Sequence, residues 1–378
     1  MKRLRTILCI VLCACIFTNA GARSVKVALI LPFDAASGAP SVNYLDFYAG
    51  ALLAVENQRN AGVDIQLTVI DLLHLNDNDE DLNDGLFKND VIIGPVRSAE
   101  MLLIQRICKI FRTPFVSPLD PAAEDYASDN PYFFQIPTSP DRQAANLVAR
   151  LKAEGEGPVT LFCNPVSPEE ERLEARYELA LTAAGVPYRK ISYEVLRGRL
   201  ITEELRSQMN PGEEIMPQRV LLASEDEAFA SDVVRNMNLL TTLYNIPVTL
   251  YASNRIRNFE TIDASSLYKL GLRVSTPYYV EYANEETRNF ILKYRALYNT
   301  EPSQYAYQGY DIFTYFIATL YDLGDSFLDF VEYYPMDLLQ NSIRFVKTNE
   351  EGGYVNVHTR DIEYRPDNTV KVVVDPSH

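Results

Sequence analysis

In the segment "VIIGPVRSAE", residues 91–100, an apolar run suited to a buried strand meets Gly94-Pro95, and within three residues a helix can begin at Ser98. Two readings fit so short a junction. It is a tidy βα turn with Ser98 as the helix cap, or it is a binding site. The first turn of such a helix presents unpaired N–H groups to whatever lies above the sheet.

The flanking sequence supplies the rest of the layer. Upstream, "VKVALILPF" (25–33) reads as a strand buried on both faces. "YLDFYAGALLAVENQRNAG" (44–62) follows as a helix with Leu45, Tyr48, Leu52 and Val55 along one stripe and Gly62 as its stop. The strand "IQLTVIDL" comes next, and after "VIIG" and a helix over 98–111 the strand "PFVSPL" closes the set. Strands with near-continuous apolar character, alternating with helices, imply a parallel sheet covered on both sides.

The pattern then restarts. Ser139-Pro140 marks a helix over 140–153, followed by strand "PVTLFC", helix 168–184, strand "YRKISY", helix 201–209, strand "RVLLAS", helix 225–242 and strand "PVTLYAS". Ser167-x-x-Glu170 and Ser224-x-x-Glu227 read as capping boxes that explain their serines without a ligand. Two helices follow, over 284–299 and through "YQGYDIFTYFIATLYDLG". The tail "GGYVNVHTRDIEYRPDNTVKVVV" suggests two or three antiparallel strands with a turn at Pro366-Asp367-Asn368. Twelve tyrosines between Tyr278 and Tyr334 are expected mainly in the core or at its rim, with a few free to line a cleft.

Charge and cysteine content narrow the function. Lys2, Arg3 and Arg5 precede the apolar run "TILCIVLCACIFT" and the small-residue site Ala20-Gly21-Ala22, the order of a signal peptide over residues 1–22. The run is too short to remain as a membrane span. Lipoprotein processing at Cys15 is the alternative. Removal of that segment takes the formal charge from −16 to −19. A surface that acidic excludes nucleic acid and anionic membrane faces as partners. Cys108 and Cys163 then remain, both in apolar settings, and are expected as buried free thiols.

Enzyme signatures are missing. The chain has no G-x-x-x-x-G-K-[ST] phosphate loop, no G-x-G-x-x-G after a strand, no G-x-S-x-G elbow and no C-x-x-C outside the leader. His74, His358 and His378 are too scattered for a zinc site, and a hydrolase would have to use His74 or His358 without local support. The acidic run "NDNDEDLNDG" (76–85) fails as a calcium loop, because Leu82 or Asp84 falls where the turn glycine is needed. No cofactor is implied. What remains is Ser98 together with Ser117 in "PFVSPLD", at the strand edge where open α/β sheets bind ligands.

Five stretches in order, "VALILPF" with "DFYAGALLAVE", "VIIGPVRSAE", "TPFVSPLDP" and "YNTEPSQYAYQGYDIFTYFIATL", resemble the type 1 periplasmic binding proteins, the Leu/Ile/Val-binding family. The chain is similar above all to an envelope branch often linked to LysM peptidoglycan-binding modules, although no such module is visible here. The resemblance implies an α/β fold of two Rossmann-like lobes, each a mostly parallel sheet flanked by helices, joined by three crossings with ligand held in the cleft. On that plan lobe one covers 25–138 and 279–359, and lobe two covers 139–278 and 360–378. Ser98 and Ser117 would hold a carboxylate or equivalent group. Asn254 stands where amino-acid binders place an acid for the ammonium, and "NPVSPEE" replaces their Tyr-Gly; both depart from an amino-acid-binding pattern. Asp311 in "QGYD" matches the family motif and is expected to bond locally. The implied function is a non-enzymatic periplasmic solute-binding protein for a small polar ligand, with an ABC permease as partner. The alternative is an envelope scaffold or regulator that binds peptidoglycan or a cell-wall enzyme such as a peptidoglycan synthase.

Overall fold

The computed structural model of the chain describes residues 23–34, 40–72, 85–96, 98–155, 157–195 and 202–373, the side chains of 98–100 excepted. The leader with Cys15, His74, nearly all of the acidic run and His378 lie outside them. The chain divides into two compact units. The first comprises Met1–Ile136, Glu285–Met336 and Ile343–Asn356; the second comprises Pro137–Asn284, Asp337–Ser342 and Val357–His378.

The sheet of the first unit is built from β1 (Ser24–Leu31), β2 (Asp64–Asp71), β3 (Val91–Ile93), β4 (Phe115–Ser117), β5 (Phe133–Gln135), β13 (Phe345–Lys347) and β14 (Tyr354–Asn356). Their order is β13-β14-β5-β4-β3-β1-β2, all parallel except β13. Val25 and the whole of Val27–Leu31 are inaccessible, which is why β1 shows no alternation of polar and apolar residues. The sheet of the second unit takes β6 (Val159–Cys163), β7 (Tyr188–Ser192), β8 (Gln218–Ala223), β9 (Val248–Ala252), β10 (Arg273–Thr276), β15 (Arg360–Tyr364) and β16 (Val370–Val373). It runs β16-β15-β10-β9-β8-β6-β7, with β15 antiparallel to both of its neighbours and every other pair parallel. A short ribbon pairs β11 (Met336–Asp337) with β12 (Ser342–Ile343).

In the tail, β15 and β16 form the expected hairpin, with Asn368 in the left-handed region at φ 62°. The strand at "YVN" departs from the antiparallel expectation, since β14 adds parallel to β5 and only its other edge meets β13 antiparallel.

The Val42–Asn60 helix corrects the expected stripe. Of that stripe Val55 is buried as expected, but Leu45 is 40% exposed and Tyr48 and Leu52 are only partly covered; Phe47, Ala49–Ala51, Leu53 and Ala54 are buried in their place. The helix is covered on more than one side, because Gly50 lies against the backbone of the Gln304–Leu323 helix at Ala306 and Tyr310, and Gly309 of that helix lies against Phe47 and Ala51. A small-residue contact carries no apolar period, so it escapes a hydrophobic count.

Aromatic packing fills the first unit. Phe134 on β5 meets Phe316, Phe327, Phe345 and Tyr354 with ring centroids 4.6–5.7 Å apart. Of the tyrosine-rich stretch, Tyr294, Tyr307 and Tyr315 are buried, while Tyr282 and Tyr333 are well exposed. Cys108 and Cys163 are free and buried, and burial pushes both thiols up, so they remain protonated and unreactive.

Asp337–Ser342 joins the second unit as a short excursion. Arg360, at the start of β15, accounts for it: its guanidinium donates to the carbonyls of Tyr279, Leu338, Leu339 and Asn341 at 2.5–3.2 Å and to Ser342 Oγ at 3.3 Å.

The second capping box is not formed. Asp226 is the N-cap of the Glu227–Leu243 helix and accepts from Phe229 N at 2.7 Å, while Glu227 accepts from the backbone and hydroxyl of Thr261. Ser224 instead accepts from Asp226 N. Asp226→Ala should therefore cost about 0.5–2 kcal/mol in urea denaturation, the usual value of an N-cap.

Candidate functional site

The edge that carries the sequence-derived residues is the C-terminal end of the first sheet. The chain runs from β2 at one border, past β1, to β3 on its far side, so strand order reverses between β1 and β3. Such a reversal opens a crevice above the strand ends, the usual ligand position in open α/β sheets. Gly94 lies there at φ +84°, and its N–H bonds Val116 O at 2.9 Å. A Cβ on Gly94 would come within 2.0 Å of Ile30 O, so this position requires glycine. The Gly94-Pro95 peptide is cis. The helix runs Ser98–Phe111, so Ser98 is its first helical residue and not the cap expected from the sequence, since the cap precedes the first helical residue. Its side chain lies outside those described.

Ser117 ends β4. Its register beside β3 pairs Ile93 with Val116, which puts Ser117 level with Gly94. Ser117 is fully buried, and its Oγ has no hydrogen-bond partner among the described residues. The backbone beyond it is pinned by two amides that the sequence did not single out. Gln308 Nε2 donates to Pro118 O and Gln135 Nε2 donates to Pro121 O, each at 3.1 Å. A lone glutamine within an apolar strand or helix was the only sequence signal for either.

Ser98 and Ser117 thus follow neighbouring strands of one sheet. Asn254 belongs to the second unit, where it opens a 3₁₀ turn, Asn254–Asn258, after β9. Its Oδ1 accepts from Arg257 Nη1 at 2.9 Å.

The second sheet reverses its order between β6 and β8. Asn164, in the place of the absent Tyr-Gly, is 4% exposed with Oδ1 unbonded. Ser167 caps the Pro168–Ala184 helix by accepting from Glu170 N at 3.3 Å, but Glu170 does not complete the box. Its carboxylate reaches across the reversal and accepts from Glu225 N at 3.0 Å, joining the loops after β6 and β8. Nearby, burial pushes the Tyr177 hydroxyl up. His358, the histidine within the described residues, serves through its carbonyl, which accepts from Thr138 Oγ1.

Comparison with solved structures matches this architecture. The chain aligns over 93% of its length with all of a Rhodospirillum rubrum protein assigned to a branched-chain amino acid ABC transporter, at TM-score 0.65 and 16% identity. The chain has the fold of the type 1 periplasmic binding proteins. An ABC transporter substrate-binding protein from Desulfitobacterium hafniense in complex with Leu is similar to this chain over 93% of its length and 100% of the other, at TM-score 0.51 and 16% identity. The C-domain of LpoA from Haemophilus influenzae, a regulator of PBP1A, shares the type 1 fold over 92% of this chain and 100% of that domain, at TM-score 0.57 and 13% identity. No protein-family model and no curated protein matches the chain. At such identities the likeness establishes the fold and nothing finer. No helix among the described residues is long and apolar enough to cross a membrane.

Proposed function

We propose that the chain is a non-enzymatic envelope protein of the ABC-transporter substrate-binding type, which takes a small polar ligand at the serine edge of its first unit. The observation that carries this reading is Ser117. A buried hydroxyl left without a partner is costly, about 1–3 kcal/mol, and here it stands beside the strand-order reversal where this class of sheet takes ligands. Ser98, opening the adjacent helix, brings N–H groups suited to a carboxylate or similar acceptor.

The proposal makes opposite demands on stability and binding. Ser117→Ala should leave stability unchanged or raise it by about 1 kcal/mol, since the hydroxyl gains nothing in the free protein. It should weaken ligand about tenfold, the loss of one hydrogen bond. Thermal-shift screening of amino acids, peptides, sugars and muropeptides finds the ligand; at a hundredfold excess over Kd it should add about 2.7 kcal/mol. A variant that binds as tightly as the wild type would remove Ser117 from the site.

A second reading is an envelope scaffold or regulator that engages a cell-wall enzyme or peptidoglycan. Two observations favour it: the likeness to the LpoA C-domain, and the absence of an acid at Asn254. Crosslinking in intact cells separates the two, because capture of a permease supports uptake and capture of a peptidoglycan synthase supports regulation.

A further inference from the structure

Arg257 is held in one orientation by three neutral groups. Its Nε donates to the hydroxyl of Tyr364 at 3.1 Å, its Nη1 donates to Asn254 Oδ1 at 2.9 Å, and its guanidinium lies 5.0 Å from the ring centroid of Tyr279. Tyr364 is itself buried and packed against Tyr268, so the platform is fixed. Among the described residues no carboxylate pairs with Arg257. The neighbouring cations differ: Arg255 pairs with Glu225, and Arg273 is gripped by Glu154 and Glu363. In a chain of 51 acidic residues, a partly buried, pre-oriented guanidinium that pairs with no carboxylate among the described residues is suited to receive one from a ligand.

We propose that Arg257 takes a carboxylate at the edge of the second unit's sheet, with Asn254 as its positioning residue. Asn254 directly follows β9 at the C-terminal edge of the second sheet, the ligand-binding edge of this fold class, and Arg257 is bonded to it. With Nε and one N–H of Nη1 committed, Nη2 donates to nothing among the described residues and keeps its N–H groups for a carboxylate. One guanidinium on an acidic surface balances a single negative charge, which favours a carboxylate over a more highly charged phosphate. Its orientation is already set by the tyrosines, so little side-chain entropy is lost on binding. An ammonium group would be repelled here. The inference rests on the solute-binding reading and gives it a ligand class: compounds whose carboxylate meets the second unit.

The test is calorimetric titration of the full chain, purified after export, with succinate, glutarate, l-glutamate and l-leucine, and inorganic phosphate for comparison. At least one carboxylate is expected to bind more tightly than phosphate. Arg257→Gln should weaken it at least tenfold and Arg257→Lys less, because a charge is kept but the fork is lost. Tyr364→Phe removes only the hydroxyl that orients Nε and should cost a smaller factor without unfolding the protein. Should a compound bind the wild type and Arg257→Gln equally, the inference is overturned while the solute-binding reading stands. Tighter binding of phosphate than of every carboxylate overturns the ligand class. If no compound binds the wild type, the carboxylate inference fails, while the solute-binding reading is decided by the wider thermal-shift screen.

Discussion

Gly309→Ala is expected to unfold at a much lower urea concentration than the wild type, with a loss of about 3 kcal/mol or more. A Cβ at this position would lie 2.0 Å from Phe47 O and 3.2 Å from Ala51 N of the facing helix. Those are backbone atoms, which cannot rotate away as a side chain would. The Gln304–Leu323 and Val42–Asn60 helices must therefore separate, and the close contact of Gly50 and Gly309 with the facing backbone is lost. Ordinary overpacking costs about 1–3 kcal/mol, and a backbone clash should reach or pass the top of that range. The better helix propensity of alanine returns only about 1 kcal/mol. Gly50→Ala makes the reciprocal clash, 1.9 Å from Ala306 O, and should behave alike. Because both glycines serve one contact, the double variant should cost less than the two single losses added together. A loss below about 1 kcal/mol in either single variant would show that the helices can part freely.

Arg360→Met should be comparably damaging in the second unit, at about 3 kcal/mol. The side chain is 8% exposed and donates five hydrogen bonds that tie β15 to Tyr279 and to the Asp337–Ser342 excursion. A hydrogen bond to a charged group contributes about 1.5–3 kcal/mol, and bonds shared by one guanidinium do not add in full. Methionine keeps much of the volume, so the loss reports on the donors. Hydrogen exchange gives a local check: amides of residues 338–342 should exchange faster in the variant, while those of β1 should not. Equal exchange at both places would mean that the ribbon holds itself without Arg360.

The fold class could be read from the chain because its signals are local. Ser139-Pro140, Ser167 before Pro168 and Gly185 at φ +65° punctuate helices wherever they occur, and strands such as "VTLFC" declare burial by composition alone. The errors arose where a distant segment decides. The stripe on the Val42–Asn60 helix was misplaced because its tightest contact is glycine against backbone, which no apolar period reports. β14 was expected to pair antiparallel because its parallel partner, β5, lies more than 200 residues away in sequence. Ser224 and Asp226 both fit a cap; backbone geometry selected Asp226. At the candidate site, Gly94 and Ser117 stood out because strand ends were marked by Gly-Pro and Ser-Pro. Gln308 and Arg257 did not, and Glu170 stood out only as a capping partner, since each matters through a partner on another element: Pro118, Tyr364 and Glu225.

The most direct test of the serine edge as a ligand site is calorimetric titration of the tightest ligand from the screen into wild-type protein and into Ser98→Gly. Ser98 is the first helical residue, where exchanging serine for glycine costs about 0.5 kcal/mol of helix propensity, so the variant should fold as the wild type does. It deletes the hydroxyl, and a polar ligand group that loses its partner should bind about 1–3 kcal/mol more weakly. Ser98→Asp supplies the sign: an acid in the first turn suits the helix N-terminus, yet it should nearly abolish binding of a carboxylate ligand. Weakened binding by Ser98→Gly at unchanged stability is the result expected here. Unchanged affinity would reduce "VIIGPVRSAE" to a turn and place the ligand elsewhere.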